Sequence, residues 1–172
     1  MSHTRILTTS MLLILAVLAF PVLASEPIID GFVQPEPERL VGGQPEPHEL
    51  VAARDAGFMH VFNARGIGEL DGWDEVALVK ALGMTYHPLP IAQAGDLNRE
   101  SVAEFDRILQ EIGDQPAVMH CASGNRVGAL YALHAAWYKD ADTEQAVEIG
   151  RAHGLAGLES QVRSLLDEAP TP

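Results

Sequence analysis

Residues 117–128 read Ala-Val-Met-His-Cys-Ala-Ser-Gly-Asn-Arg-Val-Gly, and this stretch decides the fold. Residues 117–120 form a short apolar run, the pattern of a buried strand. Cys121 follows at once, then a tight turn containing Gly124, then a long apolar helix over about residues 127–138. In open α/β sheets, ligands gather at the carboxyl edge, where such a strand delivers its last residue. The backbone N–H groups of the small-residue turn (Ala122, Ser123, Gly124, Asn125) can point inward as an anion nest. A helix starting near Arg126 directs the positive end of its dipole at the same spot. Arg126 itself brings a permanent cation with a planar fork that fits an oxyanion. All three favour negative charge at the loop centre, and the first group they act on is the Cys121 sulfur, which is expected to be a nucleophilic thiolate. A lone cysteine closing an apolar strand is otherwise an inert core residue. Such a residue needs neither the glycine nor the arginine.

Outward from this joint, strand and helix patterns alternate. Leu40 and Val41 suggest a strand ending in Gly42-Gly43-Gln44, and a helix follows Pro45 and stops at Gly57. Residues 59–63 (MHVFN) read as a buried strand, 64–72 as a Gly-rich loop, and 73–82 as a helix closed by Gly83. Residues 85–91 (TYHPLPI) are the next strand, and Pro88 and Pro90 place it at an edge or end its pairing early. Asn98 can cap a helix carrying Val102, Phe105, Ile108, Leu109 and Ile112 at helical spacing. Two further helices fit 143–153 and 157–167, split by Gly154. The expected fold is α/β, a mainly parallel central sheet of about four to five strands flanked by helices. The domain spans 39–168, with a Pro-rich acidic segment at 25–38 expected to wrap the surface or fray, and a tail at 169–172.

The 172 residues suffice for one core and are too few for two. A formal charge of −13 repels nucleic acid and anionic lipid, so an anionic substrate must be drawn in by local positive groups. Residues 1–24 read as a secretory signal: Arg5 is the only charge before Glu26, residues 11–23 are almost wholly apolar, and Ala24 precedes a cleavage position. That apolar run falls short of the roughly 18–20 residues of a spanning helix. The expectation is export to the periplasm with no stable membrane insertion. A single thiol in an oxidising compartment has no partner for an intramolecular disulfide, and is either buried and inert or kept for chemistry.

The loop His120-Cys121-Ala122-Ser123-Gly124-Asn125-Arg126 resembles the active loop of cysteine phosphatases and rhodaneses. From Leu40 to about Leu166 the chain looks like the bacterial phosphatase-like domain that also occurs fused to β-lactamase-like hydrolases. Gly43-Gln44-Pro45, Val61-Phe62-Asn63-Ala64-Arg65, Leu89-Pro90-Ile91 and Gly150-Arg151-Ala152-His153-Gly154-Leu155 fit that pattern too. The resemblance implies a protein-tyrosine-phosphatase-like fold, a Cys121 nucleophile and Arg126 as anion binder.

Two features depart from the phosphatase signature. Four residues, not five, separate Cys121 from Arg126, and Val127 stands where Ser or Thr usually follows the arginine. The shorter cradle suits one sulfur atom better than a phosphoryl group, and the missing hydroxyl removes a donor that helps a thiolate leave phosphocysteine. The favoured reading is sulfane-sulfur transfer through a Cys121 persulfide, from a small sulfur-containing anion to a thiol acceptor. The alternative is a tyrosine- or dual-specificity-type phosphatase, for which a carboxylic acid must protonate the leaving oxygen. Asp96 lies where such an acid would be supplied, though a structural place beside Asn98 suits it as well; Asp71 and Asp74 read as loop and helix-start residues. A non-catalytic module that binds an oxyanion or a modified partner is the reading of a different class.

The remaining candidates are supporting ones. His120 is expected to support Cys121 by hydrogen bonding, and Arg65 either contacts substrate or pairs with Glu69 or Asp71. His60 and His87 read as core or edge residues, and Leu130, Trp137 and Tyr138 as core. The seven histidines show no H-x-H or H-E-x-x-H pair, so no metal and no cofactor are expected.

Overall fold

The computed structural model describes residues 28–69 and 72–168. The predicted leader (1–24), the tail at 169–172 and Asp71 lie outside the described residues. Five strands form one sheet: β1 (Val33–Glu36), β2 (Arg39–Gly42), β3 (His60–Asn63), β4 (Thr85–Pro88) and β5 (Ala117–His120), in the order β1-β2-β5-β3-β4. β2, β5, β3 and β4 run parallel, and β1 is antiparallel to β2. Among the described residues the six α-helices are α1 (Pro47–Asp55), α2 (Glu75–Ala81), α3 (Arg99–Ile112), α4 (Asn125–Tyr138), α5 (Thr143–Ala152) and α6 (Glu159–Asp167). No helix among the described residues is long and apolar enough to cross a membrane.

Register explains the two-sided core. Leu40, Val118 and Val61 are aligned across three strands, and so are their neighbours Val41, Met119 and Phe62. Successive strand side chains point to opposite faces. The first trio packs with Leu50, Ala53 and Val79 of α1 and α2. The second packs with Val102, Phe105, Ile108, Leu130, Leu133, Val147 and Val162 of α3 to α6. Both faces of the central strands are therefore dry, which is why the predicted strands read as continuous apolar runs.

The N-terminal segment differs from its expectation. Residues 33–36 form an edge strand, and just before it Ile29 is buried and the Phe32 ring lies over Gly42, where a β-carbon would sit 2.5 Å from that ring. β4 ends at Pro88, at the sheet edge, as its prolines required. Tyr138 is 43% exposed rather than core, because α4 ends there. Trp137 is half-buried, with the Arg99 guanidinium 4.1 Å from its ring centroid.

α4 is centred by close backbone approach. At Gly128 a β-carbon would fall 2.1 Å from the backbone nitrogen of Leu155 and 2.7 Å from the Gly150 carbonyl. Only glycine lets α4 lie this close to α5 and the turn that follows it.

Candidate active site

The carboxyl ends of β2, β5 and β3 converge on Cys121. Its N–H donates to the Gly42 carbonyl at 3.3 Å, and Gly43 and Ser123 form an antiparallel bridge, so the turn lies against the end of β2. Gly124 takes φ 83° at the helix N-cap, a conformation that L side chains resist. The turn brings the Ser123 N–H to 3.5 Å from the Cys121 sulfur, as an inward-facing donor. The Asn125 side chain has a structural tie of its own: its Oδ1 accepts from the N–H groups of Ala156 (2.8 Å) and Leu158 (3.3 Å), joining the start of α4 to the α5–α6 connection.

Arg126 is held from three sides. Its Nη1 donates to Glu69 Oε1 (2.6 Å) and to the carbonyls of Ile91 (2.6 Å) and Ala64 (3.4 Å), while Nη2 donates to Glu69 Oε2 at 2.5 Å. This is a two-pronged carboxylate pair, the geometry that matches the guanidinium fork. The Arg126 hydrogen bonds hold the Glu69 carboxyl down to about 2, against burial, with the Gly66 N–H assisting. In return, Arg126 is raised above its ordinary value, first by Glu69 and further by the charge of the adjacent Cys121 sulfur, with burial opposing. The cation, the sulfur and Glu69 thus form one electrostatic unit.

Behind the loop lies a second polar cluster. Glu75, at the first turn of α2, is only 5% exposed. Its Oε2 accepts from Asn63 Nδ2 (2.6 Å) and the Tyr86 hydroxyl (3.2 Å), and its Oε1 accepts from Gln44 Nε2 (2.9 Å). His120 Nε2 lies 2.9 Å from Glu75 Oε1, but its N–H does not align as a hydrogen bond; both ring nitrogens are left without one, so the expected hydrogen bond from His120 to Cys121 is not formed. Burial pushes the Glu75 carboxyl up, but His120, Gln44 and Asn63 outweigh it and hold the group below the usual range. Burial, then the Glu75 charge, pushes Tyr86 up to about 12.

The other sequence candidates fall in distinct places. Asp96 Oδ2 accepts the N–H groups of Ala92 (2.8 Å) and Gln93 (2.9 Å), closing the turn before α3. Asp74 caps α2 through Ala77. Arg65 Nη1 donates to Gln44 Oε1 at 2.5 Å, while Glu69 is taken by Arg126. His60 and His87 are both buried and meet at 2.9 Å between their ring nitrogens. The sequence reading gave Glu69 no role beyond pairing with Arg65, and it did not mention Glu75. Glu75 carried a signal: it stands four residues before Val79, on the buried stripe of α2. Glu69 carried none, because its partner is 57 residues away.

Arg126 and Ser123 open onto a cavity of about 320 Å³, walled also by Glu69, Ile91, Gln93 and Leu158. A hollow of about 370 Å³ around Arg39 and Asp114 lies at the amino ends of β2 and β5, away from the cysteine. The cavity thus presents the Arg126 cation and the Ser123 segment of the loop, and the buried Cys121 sulfur lies directly behind that segment.

Solved structures share this architecture. A candidate phosphatase (DUF442) of Shewanella putrefaciens CN-32 is 22% identical with a TM-score of 0.61, over 80% of this chain and 87% of that one. A candidate phosphatase of Neisseria meningitidis Z2491 is 19% identical with a TM-score of 0.63, over 80% and 96%. P. aeruginosa TpbA, in a complex with phosphotyrosine, is 18% identical with a TM-score of 0.64, over 86% and 89%. The chain matches no family model and no curated protein sequence. At these identities the likeness establishes the fold, which is protein-tyrosine-phosphatase-like.

Proposed function

We propose that the chain is a cysteine-dependent phosphomonoesterase that works through a phosphocysteine on Cys121. The observation carrying this reading is that the loop placing the Ser123 N–H 3.5 Å from the buried Cys121 sulfur leads straight into Arg126, and that Ser123 and Arg126 line one cavity. The sulfur attacks phosphorus in line with the leaving oxygen, while Arg126 and the loop amides hold the transferring oxygens as charge builds on them. The phosphatase character of the fold's neighbours supports phosphorus over sulfur as the atom attacked.

Sulfane-sulfur transfer is the second reading, favoured by the four-residue spacing and by Val127, a fully buried residue that places no hydroxyl behind the sulfur. One paired assay separates the two. Turnover of an aryl phosphate that disappears in Cys121→Ser, with no thiocyanate formed from thiosulfate and cyanide, supports the phosphatase. Thiocyanate formation without phosphate release reverses the order. Biological activity retained in Cys121→Ser makes the chain a binding module instead.

A further inference from the structure

Phosphoryl transfer to Cys121 needs a proton for the departing oxygen. The residue best placed by sequence, Asp96, is committed to the amides of Ala92 and Gln93 and is not part of the cavity wall. Among the described residues that line the cavity, the single carboxylate is Glu69. We propose that Glu69 is the general acid of this site, parked on Arg126 in the free protein and released when a phosphoryl group takes the guanidinium fork. The assignment rests on the phosphatase reading above.

The geometry makes the exchange specific. Glu69 presents two oxygens to Nη1 and Nη2 in the way two phosphoryl oxygens would, so carboxylate and substrate compete for one fork. Arg126 does not come adrift in the exchange, because Nη1 keeps the Ile91 carbonyl. Glu69 does not leave the cavity either, since its Oε1 still accepts the Gly66 N–H at 2.8 Å. That bond occupies Oε1 and leaves Oε2 as the oxygen that carries a proton. Loss of the guanidinium contacts removes the main cause of the lowered Glu69 pKa, and the neighbouring phosphoryl charge pushes that pKa further up. Apolar walls at Ile91, Leu97 and Leu158 favour the neutral carboxyl.

The proton balance closes without another reactant. A phosphomonoester entering as its monoanion gives its proton to Glu69 Oε2. The Cys121 thiolate forms the S–P bond as the P–O bond breaks, and the leaving oxygen takes the proton from Glu69. Water then attacks phosphocysteine and gives a proton to the Glu69 carboxylate, while the S–P electron pair returns to sulfur. Phosphate departs, the proton passes to solvent, and Glu69 rejoins Arg126.

Leaving-group dependence tests the assignment, using phenyl phosphate and 2,4-dinitrophenyl phosphate with the wild type, Glu69→Gln, Glu69→Asp, Asp96→Asn and Cys121→Ser. In Glu69→Gln, kcat for phenyl phosphate should fall on the order of 10²-fold, and for the dinitrophenyl ester, whose phenolate leaves unprotonated, less than about 10-fold. The alkaline limb of the kcat profile should flatten in the same variant, and Glu69→Asp should restore part of the phenyl phosphate rate. Equal losses on both esters with a raised KM would reduce Glu69 to a residue that positions Arg126 and overturn the proposal. A leaving-group-dependent loss in Asp96→Asn instead would hand the role to Asp96. Wild-type protein with no Cys121-dependent turnover of either ester would overturn the phosphatase reading, and the acid assignment with it.

Discussion

Glu75 of α2 and His120 of β5 meet at 2.9 Å in the interior, at 5% and 0% side-chain exposure, directly beneath the residue that carries the sulfur. A carboxylate in such a place persists only because its partners converge on it, and Asn63, Gln44 and Tyr86 complete the set. Removing one side of a buried polar pair strands the other. Glu75→Ala should therefore cost about 3 kcal/mol or more of unfolding free energy. Chemical denaturation of Glu75→Ala, His120→Ala and the double variant checks this, and the double should cost clearly less than the sum. Additive losses would mean the two residues are not coupled.

Glu69 makes stability depend on acid in a defined window. Its carboxyl titrates at about 2 in the folded chain, against an ordinary value of 4.5. The unfolded state therefore binds the proton more readily, and stabilisation by the ion pair is complete above 4.5 and lost as pH falls toward 2. The stability gap between wild type and Glu69→Gln should be flat at neutral pH and should close across that interval. Thermal unfolding at stepped pH measures it. A gap that widens on acidification would contradict the pairing with Arg126.

Replacing Arg126 with lysine keeps the charge and discards the fork. Lysine cannot bond Glu69 twice and the Ile91 carbonyl as well, so neither the resting arrangement nor the bidentate grip on an anion survives. Arg126→Lys should lower kcat/KM for aryl phosphates on the order of 10²-fold while the protein remains folded by circular dichroism. Undiminished turnover would show that charge alone suffices.

Gly128→Ala should be among the most damaging single methyl additions in the chain. The added carbon would meet backbone at Leu155 and Gly150, which cannot swing aside as a side chain can. Overpacking of this kind costs about 1–3 kcal/mol or more. A drop in melting temperature should accompany it. Unchanged melting would mean that α4 and α5 can separate freely.

Much of this architecture could be read from the chain, and the exceptions share a cause. The central strands announced themselves because they are dry on both faces, and Pro88 placed β4 at an edge because an imino nitrogen cannot join a ladder. β1 was missed because Val33, Gln34 and Glu36 carry no apolar alternation, and backbone pairing with β2 holds the strand instead. The cysteine and arginine stand five positions apart on one turn, so their meeting is local and legible. The carboxylates that govern the site reach it from afar, Glu69 across 57 residues, and only tertiary packing decides which cation or amide they find.

β5 has a parallel neighbour on each side, β2 and β3. Cys121 is thus mounted at the end of the element that can be prised open only by tearing the sheet in two, and amide hydrogens along Ala117–His120 should exchange with deuterium no faster than the whole domain unravels. Heat would then abolish any Cys121-dependent turnover all at once, since the segment carrying it has no softer route to failure than the collapse of everything around it.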